Sequence, residues 1–131
     1  MSPTSVSREP FGSLEDGSPV HRFTLANDSL TASILDYGVR LQSLLCRLQG
    51  DEVRQCTLGF DKFETYLTDG AYIGAVVGRF ANRIRDGRVT VDGSTCQLDR
   101  NEGDNHLHGG LKAFHNQKWQ SATIYDGVVF S

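Results

Sequence analysis

No apolar run in this sequence approaches the roughly 18 residues that a membrane-spanning helix needs, so nothing in it reads as a helical span. The polar opening, Met1 to Pro19, lacks the apolar middle of a secretory signal, and the expected location is cytoplasmic. Positive charge is not in excess. A formal net charge of −3 argues against a nucleic acid or an anionic membrane as partner. There are only three cysteines, Cys46, Cys56 and Cys96; their number is odd and their spacing fits no metal knuckle, so reduced thiols are expected. Three prolines stand against fourteen glycines, a balance that suits a turn-rich all-β chain. Asn27-Asp28-Ser29 fits a glycosylation acceptor, which has no weight without an export signal. There is no Gly-x-Ser-x-Gly elbow, no cysteine in an activating setting and no distinct pair of carboxylates, so serine-hydrolase, thiol and glycosidase chemistry lack support.

What is present fits one domain of 131 residues with an ordinary 38% hydrophobic and 22% charged content. Residues 1–19 read as a loose lead-in with a turn at Glu15-Asp16-Gly17. Strands are expected over His21–Ala26, where Phe23 and Leu25 alternate with Arg22 and Thr24, and over Leu30–Leu35. Asp36-Tyr37-Gly38 interrupts the second, and Val39–Leu48 resumes it. The unbroken Leu44-Leu45-Cys46 there calls for a strand covered on both faces or for a bulge. A short strand follows at Val53–Leu58. Asp61–Leu67 is the one helical stretch, with Asp61 as its cap and Phe63, Tyr66 and Leu67 on one face. Tyr72–Val77 reads as a strand of small apolar residues. Asp92-Gly93 between Arg88–Val91 and Ser94–Leu98 is the clearest hairpin, because Asp-Gly suits a two-residue type I′ loop. Trp119–Tyr125 reads as a strand and Asp126-Gly127 as a second hairpin turn. Its return arm, Val128-Val129-Phe130-Ser131, is apolar and ends without a closing turn. Such an arm leaves an unpaired edge, so it is expected to pair with another chain or, preferably, to continue in a longer protein.

Two stretches carry the chemistry: Gly78–Arg88, rich in arginine, and Asn105-His106-Leu107-His108-Gly109-Gly110. A hairpin and a polar loop separate them, so they can lie side by side. Guanidinium, amide and imidazole groups donate and accept hydrogen bonds at fixed angles, which suits a neutral, hydroxyl-rich ligand. In a plain strand Arg79, Arg83 and Arg85 would face away from Asn82, so a turn near Ala81-Asn82 is required to aim Asn82 and Arg83 together. The arginines alone would also fit a phosphate. His106 and His108, two apart in an extended chain, would share a face and could hold a metal, but a catalytic site needs a third ligand, for which only His21 and His115 offer. The alternative is a pair of structural histidines. Gly109-Gly110 permits a sharp turn behind the imidazole.

Gly78-Arg79-Phe80-Ala81-Asn82-Arg83-Ile84, the Asp92-Gly93 hairpin, Asn105-His106-Leu107-His108-Gly109-Gly110 and Trp119 together resemble the N-terminal part of the aldose 1-epimerases, or galactose mutarotases. Asp36-Tyr37-Gly38-Val39-Arg40-Leu41-Gln42-Ser43-Leu44 and Leu58-Gly59-Phe60-Asp61 are similar too, in the same order. The resemblance implies an antiparallel β-sandwich with at most one or two short helical turns, of which residues 1–131 would be the front part of a single domain. It implies interconversion of the α and β anomers of free galactose or glucose by acid–base ring opening, with no cofactor and no metal. By the same resemblance Asn82, Arg83 and His108 contact the sugar, with His108 assisting catalysis. His106 departs from the small polar residue usual at its position and reads as a supporting or surface variant. The family's general-acid histidine and general-base glutamate match nothing here; Glu52, Glu64 and Glu102 sit in no suitable motif, so the 131 residues alone are expected to be inactive. The alternatives are a non-catalytic sugar-binding or assembly module, and an epimerase of hexose 6-phosphates.

Overall fold

The computed structural model describes residues 3–131. Its main sheet is an antiparallel meander of five strands in chain order: β1 (Ser5–Ser13), β2 (Pro19–Ala26), β3 (Leu30–Leu35), β4 (Leu41–Arg47) and β5 (Val53–Gln55). Three two-stranded ribbons accompany it: β6 (Arg83–Ile84) with β9 (His106–Leu107), β7 (Arg88–Val91) with β8 (Ser94–Gln97), and β10 (Ser121–Ile124) with β11 (Gly127–Phe130). Helical structure among the described residues is confined to α1 (Phe63–Leu67) and single 3₁₀ turns at Gln49–Asp51, Arg85–Gly87 and Phe114–Asn116. The all-β, antiparallel character expected from the sequence is what the chain adopts.

Side-chain chemistry sets the turns of the meander. The Asp16 carboxylate accepts the Ser18 amide, and the Asn27 side chain accepts the amides of Ser29 and Leu30, each a local substitute for a backbone turn bond. Of the two readings of the Leu44-Leu45-Cys46 run, the bulge is the one the fourth strand shows, slightly upstream. Ser33 pairs with Ser43 but Ile34 pairs with Leu41, so Gln42 is the extra residue. Its side chain is buried and its amide donates to the Phe60 carbonyl.

Four local expectations are corrected. Residues 1–19 are not a loose lead-in: Met1 and Ser2 lie outside the described residues, but Ser5–Ser13 pairs along its length with β2. Pro10 and Gly12 hide that strand from a pattern reading, yet both suit it. β1 is an edge, where a missing N–H costs no ladder bond, and the register shifts between Pro10 and Gly12. A Cβ on Gly12 would come within 2.4 Å of Phe63 Cβ, so the glycine lets α1 lie on the strand. The helix itself begins at Phe63 after Lys62, with no side-chain cap, so Asp61 does not serve as one, and Leu67 is exposed while Phe63 and Tyr66 are buried. Tyr72–Val77 forms no strand. In the last hairpin Ile124 pairs with Gly127, so Tyr125-Asp126 occupies the loop instead of Asp126-Gly127. The Asp92-Gly93 hairpin is as expected: Val91 pairs with Ser94, and both loop residues have positive φ, +48° and +77°, as type I′ demands.

The apolar core gathers Val20, Tyr37 and Phe63 with Phe11 and Leu14 around them, and the Tyr37 and Phe63 rings meet edge to face at 5.3 Å. Beside it lies a buried ion pair. Arg40, without exposed surface, donates from Nη1 to Asp69 Oδ2 at 2.7 Å and to the Ile73 carbonyl at 2.9 Å, and its guanidinium stands 5.2 Å from the Tyr66 ring. Asp69 in turn accepts the amides of Ala71 (2.8 Å) and Ile73 (2.7 Å). One pair of side chains thus ties down the backbone from 69 to 73.

Asp36-Tyr37-Gly38 is the other anchor. The Asp36 carboxylate, buried, takes hydrogen bonds from the His21 amide at 2.9 Å and Lys118 Nζ at 3.1 Å, and its carbonyl takes one from the Trp119 amide at 2.7 Å. Gly38 N–H donates to Gln117 O, and Val76 N–H donates to Gly38 O. Two distant loops, 69–76 and 114–119, therefore dock on one short break in the sheet.

Removing one member of a buried ion pair strands the other charge, at a cost of about 3–5 kcal/mol. Asp69→Asn should therefore lower the free energy of unfolding from urea titration by that much, read as a lower midpoint with the denaturant slope unchanged. A loss below about 1 kcal/mol, the worth of an exposed pair, would show that Arg40 is not held as described.

Candidate functional site

The two polar stretches come together through β6 and β9, where Arg83 pairs with Leu107 and Ile84 with His106. Asn82 precedes β6 and His108 follows β9, so the antiparallel register sets them beside each other. Both leave their strands in the left-handed region, at φ +63° and +52°. This is the turn near Ala81-Asn82 that the sequence reading requires. Asparagine tolerates such a φ better than most residues.

The next two glycines let the chain double back. A Cβ on Gly109 would stand 1.8 Å from the Gly78 carbonyl oxygen, and one on Gly110 would stand 2.3 Å from Asp99 Oδ2. Glycine alone fits that approach. The result is a reciprocal clasp. The His108 amide donates to the Asn82 carbonyl at 3.2 Å, the Asn82 amide donates to His108 Nδ1 at 3.0 Å, and the Arg83 amide donates to Asn82 Oδ1 at 2.9 Å. Because Nδ1 accepts, the neutral imidazole carries its proton on Nε2, which is left as a donor.

Arg83 meets a partner that no local motif announces. Its Nε donates to Glu102 Oε2 at 2.6 Å, and its Nη2 donates to Glu102 Oε1, a bidentate fork. The pair shifts both groups: Glu102 raises the guanidinium's pKa, with a smaller push from Tyr72, and Arg83 lowers that of the carboxyl, with His108 adding to the effect. Arg83 Nη1, the Asn82 side-chain amide and His108 Nε2 remain as hydrogen-bonding groups on one exposed polar cluster. Glu102 sits on a loop stiffened by paired backbone bonds between Glu102 and Asn105 and by the Asn101 side chain, which both accepts the Leu107 amide and donates to its carbonyl.

Behind His108 stand Tyr72 and His115. The Tyr72 ring lies 4.8 Å from each imidazole, at 68° to His108 and 86° to His115. Neither residue carries a local signal in the sequence; both arrive through the loops docked on Asp36–Gly38. Burial, followed by the charges of Arg40 and His108, holds His115 below the ordinary imidazole value of 6.5.

His106 is not a surface variant. It is buried, and its Nδ1 donates to the Asp99 carbonyl at 2.9 Å. The left-handed turn at His108 sends the two imidazoles to different neighbours, Phe80 and Asp99 for His106, Asn82 and Tyr72 for His108. Among the described residues no group of three or more His, Cys, Asp or Glu side chains is placed to hold a metal ion. The arginines diverge as well: Arg79 lies 5.4 Å from the Phe114 ring centroid, while Arg83 faces Glu102. A neighbouring cavity of about 320 Å³ is lined by Arg79, Phe80, Asp99, His106, Lys112 and Phe114, among others, and does not include Asn82, Arg83 or His108.

Comparison with known proteins bears on this cluster. The family described as Aldose 1-epimerase matches residues 21–131. The galactose mutarotase of Bos taurus is 41% identical over 128 residues, which cover 97% of this chain and 37% of that protein. The aldose 1-epimerase of Escherichia coli (strain K12) is 39% identical over 115 residues, 87% of this chain and 33% of the relative. Among solved structures, the galactose 1-epimerase from Lactobacillus acidophilus NCFM superposes with a TM-score of 0.73 at 27% identity, over 92% of this chain and 35% of that one. The GalM/aldose epimerase homologue from C. elegans has a TM-score of 0.73 at 34% identity, over 80% and 33%. The chain thus spans little more than a third of the length of the curated relatives it matches.

The buried, neutral His115 makes stability depend on pH. Its folded-state value is depressed, so below 6.5 the unfolded chain takes up a proton that the folded chain refuses, and stability falls with pH. The carboxyls whose values are lowered, Asp16, Asp69, Asp99 and Glu102, add to this loss only as pH nears the ordinary 3.8 to 4.5 at which the unfolded chain protonates them. Melting temperature should therefore drop between pH 6.5 and 4.5, and His115→Asn should flatten that slope. An unchanged slope in the variant would assign the pH dependence to another group.

Proposed function

The chain belongs to the aldose 1-epimerase family, and from that premise we propose that it carries the sugar-gripping part of an enzyme that interconverts the α and β anomers of free aldohexoses such as galactose and glucose. The observation that supports this reading is the clasp between Asn82 and His108, which holds an amide and an imidazole of defined tautomer beside the guanidinium of Arg83. Pre-set donors of this kind can hold a pyranose by its hydroxyls with no ordering cost at the moment of reaction. His108, through Nε2–H, assists where charge develops as the ring opens.

Mutarotation requires a base at the anomeric hydroxyl and an acid at the ring oxygen. Glu102 does not suit the base: its carboxylate is engaged by Arg83 at both oxygens and its proton affinity is lowered by that pairing. The proposal assigns Asn82, Arg83 and His108 to binding and orientation and assigns neither proton-transfer role within the chain. It takes residues 1–131 as the N-terminal part of a single β-sandwich domain in a cytoplasmic enzyme. No helix among the described residues is long and apolar enough to cross a membrane. The Arg83–Glu102 pair favours a free sugar over a sugar phosphate, because the fork that would grip a phosphate is already filled by a carboxylate.

In the whole protein, Arg83→Ala or His108→Ala should lower kcat/KM for galactose mutarotation, followed by polarimetry, by about 10²–10³, the usual effect of losing one pre-set donor. Near-normal rates in both variants would refute the assignment. Equal rates on glucose and glucose 6-phosphate would refute the preference for the free sugar.

A further inference from the structure

Seven non-glycine residues among those described have positive φ, and three of them, Tyr72, Asn82 and His108, meet at one place. For Asn82 this conformation is mild, but for a bulky aromatic such as Tyr72 (φ +57°) it is uncommon and unfavourable. A strained residue persists only where its surroundings fix it on every side. Here they do. Asp69 accepts the amides of the residues before and after Tyr72, Arg40 donates to the Ile73 carbonyl, the Ala75 amide donates to the Tyr72 carbonyl, and the Leu41 amide donates to the Gly74 carbonyl.

Those restraints do not deliver the ring to the apolar core, which is made by Val20, Tyr37 and Phe63. They deliver it, half-buried, against two imidazoles, with a centroid separation of 4.8 Å to each. The His108 imidazole is fixed at one point by the Asn82 amide on Nδ1. A single hydrogen bond leaves the ring free to swing about it or to turn over. The Tyr72 ring closes off that freedom, and its own contact with the buried His115 holds it there.

We infer that Tyr72 is a positioning residue: its ring, packed against both His115 and His108, fixes the His108 imidazole with Nδ1 on the Asn82 amide and Nε2–H presented to the ligand. That ligand is the sugar only if the reading of the site given above is right; the restraint on the imidazole stands apart from it.

Imidazole nitrogen spectra of the ¹⁵N-labelled whole protein test this directly, since Nδ1 and Nε2 report which of them bears the proton. Tyr72→Phe keeps the ring. Tyr72→Asn removes it while tolerating the same φ. The wild type and Tyr72→Phe should show His108 as a single Nε2–H tautomer. In Tyr72→Asn the two nitrogen signals should converge as both tautomers become populated, and galactose affinity should fall about threefold to tenfold, the worth of one aromatic contact. Mixed tautomers in the wild type would overturn the inference whatever the variants do, and so would an unchanged His108 in folded Tyr72→Asn. Galactose that fails to bind the wild type, with the imidazole fixed as expected, would count against the sugar reading and leave Tyr72 in its role.

Discussion

The candidate site depends on a charge pair that never touches it. Arg40 and Asp69 lie out of water, where an unpartnered ion is costly and a partnered one has a fixed direction. Asp69 spends its remaining acceptor capacity on backbone amides, and Arg40 reaches the Ile73 carbonyl. The loop between them therefore has few conformations left, and the one it adopts puts an aromatic ring at its tip. That ring, Tyr72, meets both His115 and His108 edge to face, so a fold-level interaction is transmitted to the imidazole of the candidate site.

A second constraint is steric. The polar groups meet because His-Gly-Gly can lie against Gly78 at a distance no side chain would survive. Left-handed residues on both strands at one end of the short β6–β9 ribbon, Asn82 and His108, then turn the side chains toward one another. The hydrogen bonds between Asn82 and His108 use backbone and ring atoms alike, so the amide and the imidazole are defined by the same three contacts.

Much of this could be read from the sequence where the cause was local. Asp92-Gly93 dictated its turn, Leu44-Leu45-Cys46 offered a bulge as one of two readings and the bulge lies two residues upstream, and the hairpin and polar loop between Asn82 and His108 allowed the two stretches to lie side by side. Where causes were non-local, the pattern failed. Pro10 and Gly12 spoil the alternation of β1, although one suits an edge and the other makes room for Phe63. Tyr72–Val77 is a small-apolar run like a strand but is held as a loop by Arg40 and Asp69, residues that carry no pattern in common. Glu102 and His115 were silent for the same reason: each takes its place from chain segments many residues away.

The hydrogen bonds also differ in the length of chain they enclose. Each strand of the meander pairs with the one next to it in sequence, across turns of a few residues. Asn82 and His108 close a segment of 26 residues, and Asp36 with Lys118 closes one of 82. Chain entropy opposing closure grows with the logarithm of loop length. The sheet is therefore stitched by contacts that constrain little of the chain at a time, while the face bearing the imidazole is secured by the few whose release frees the most.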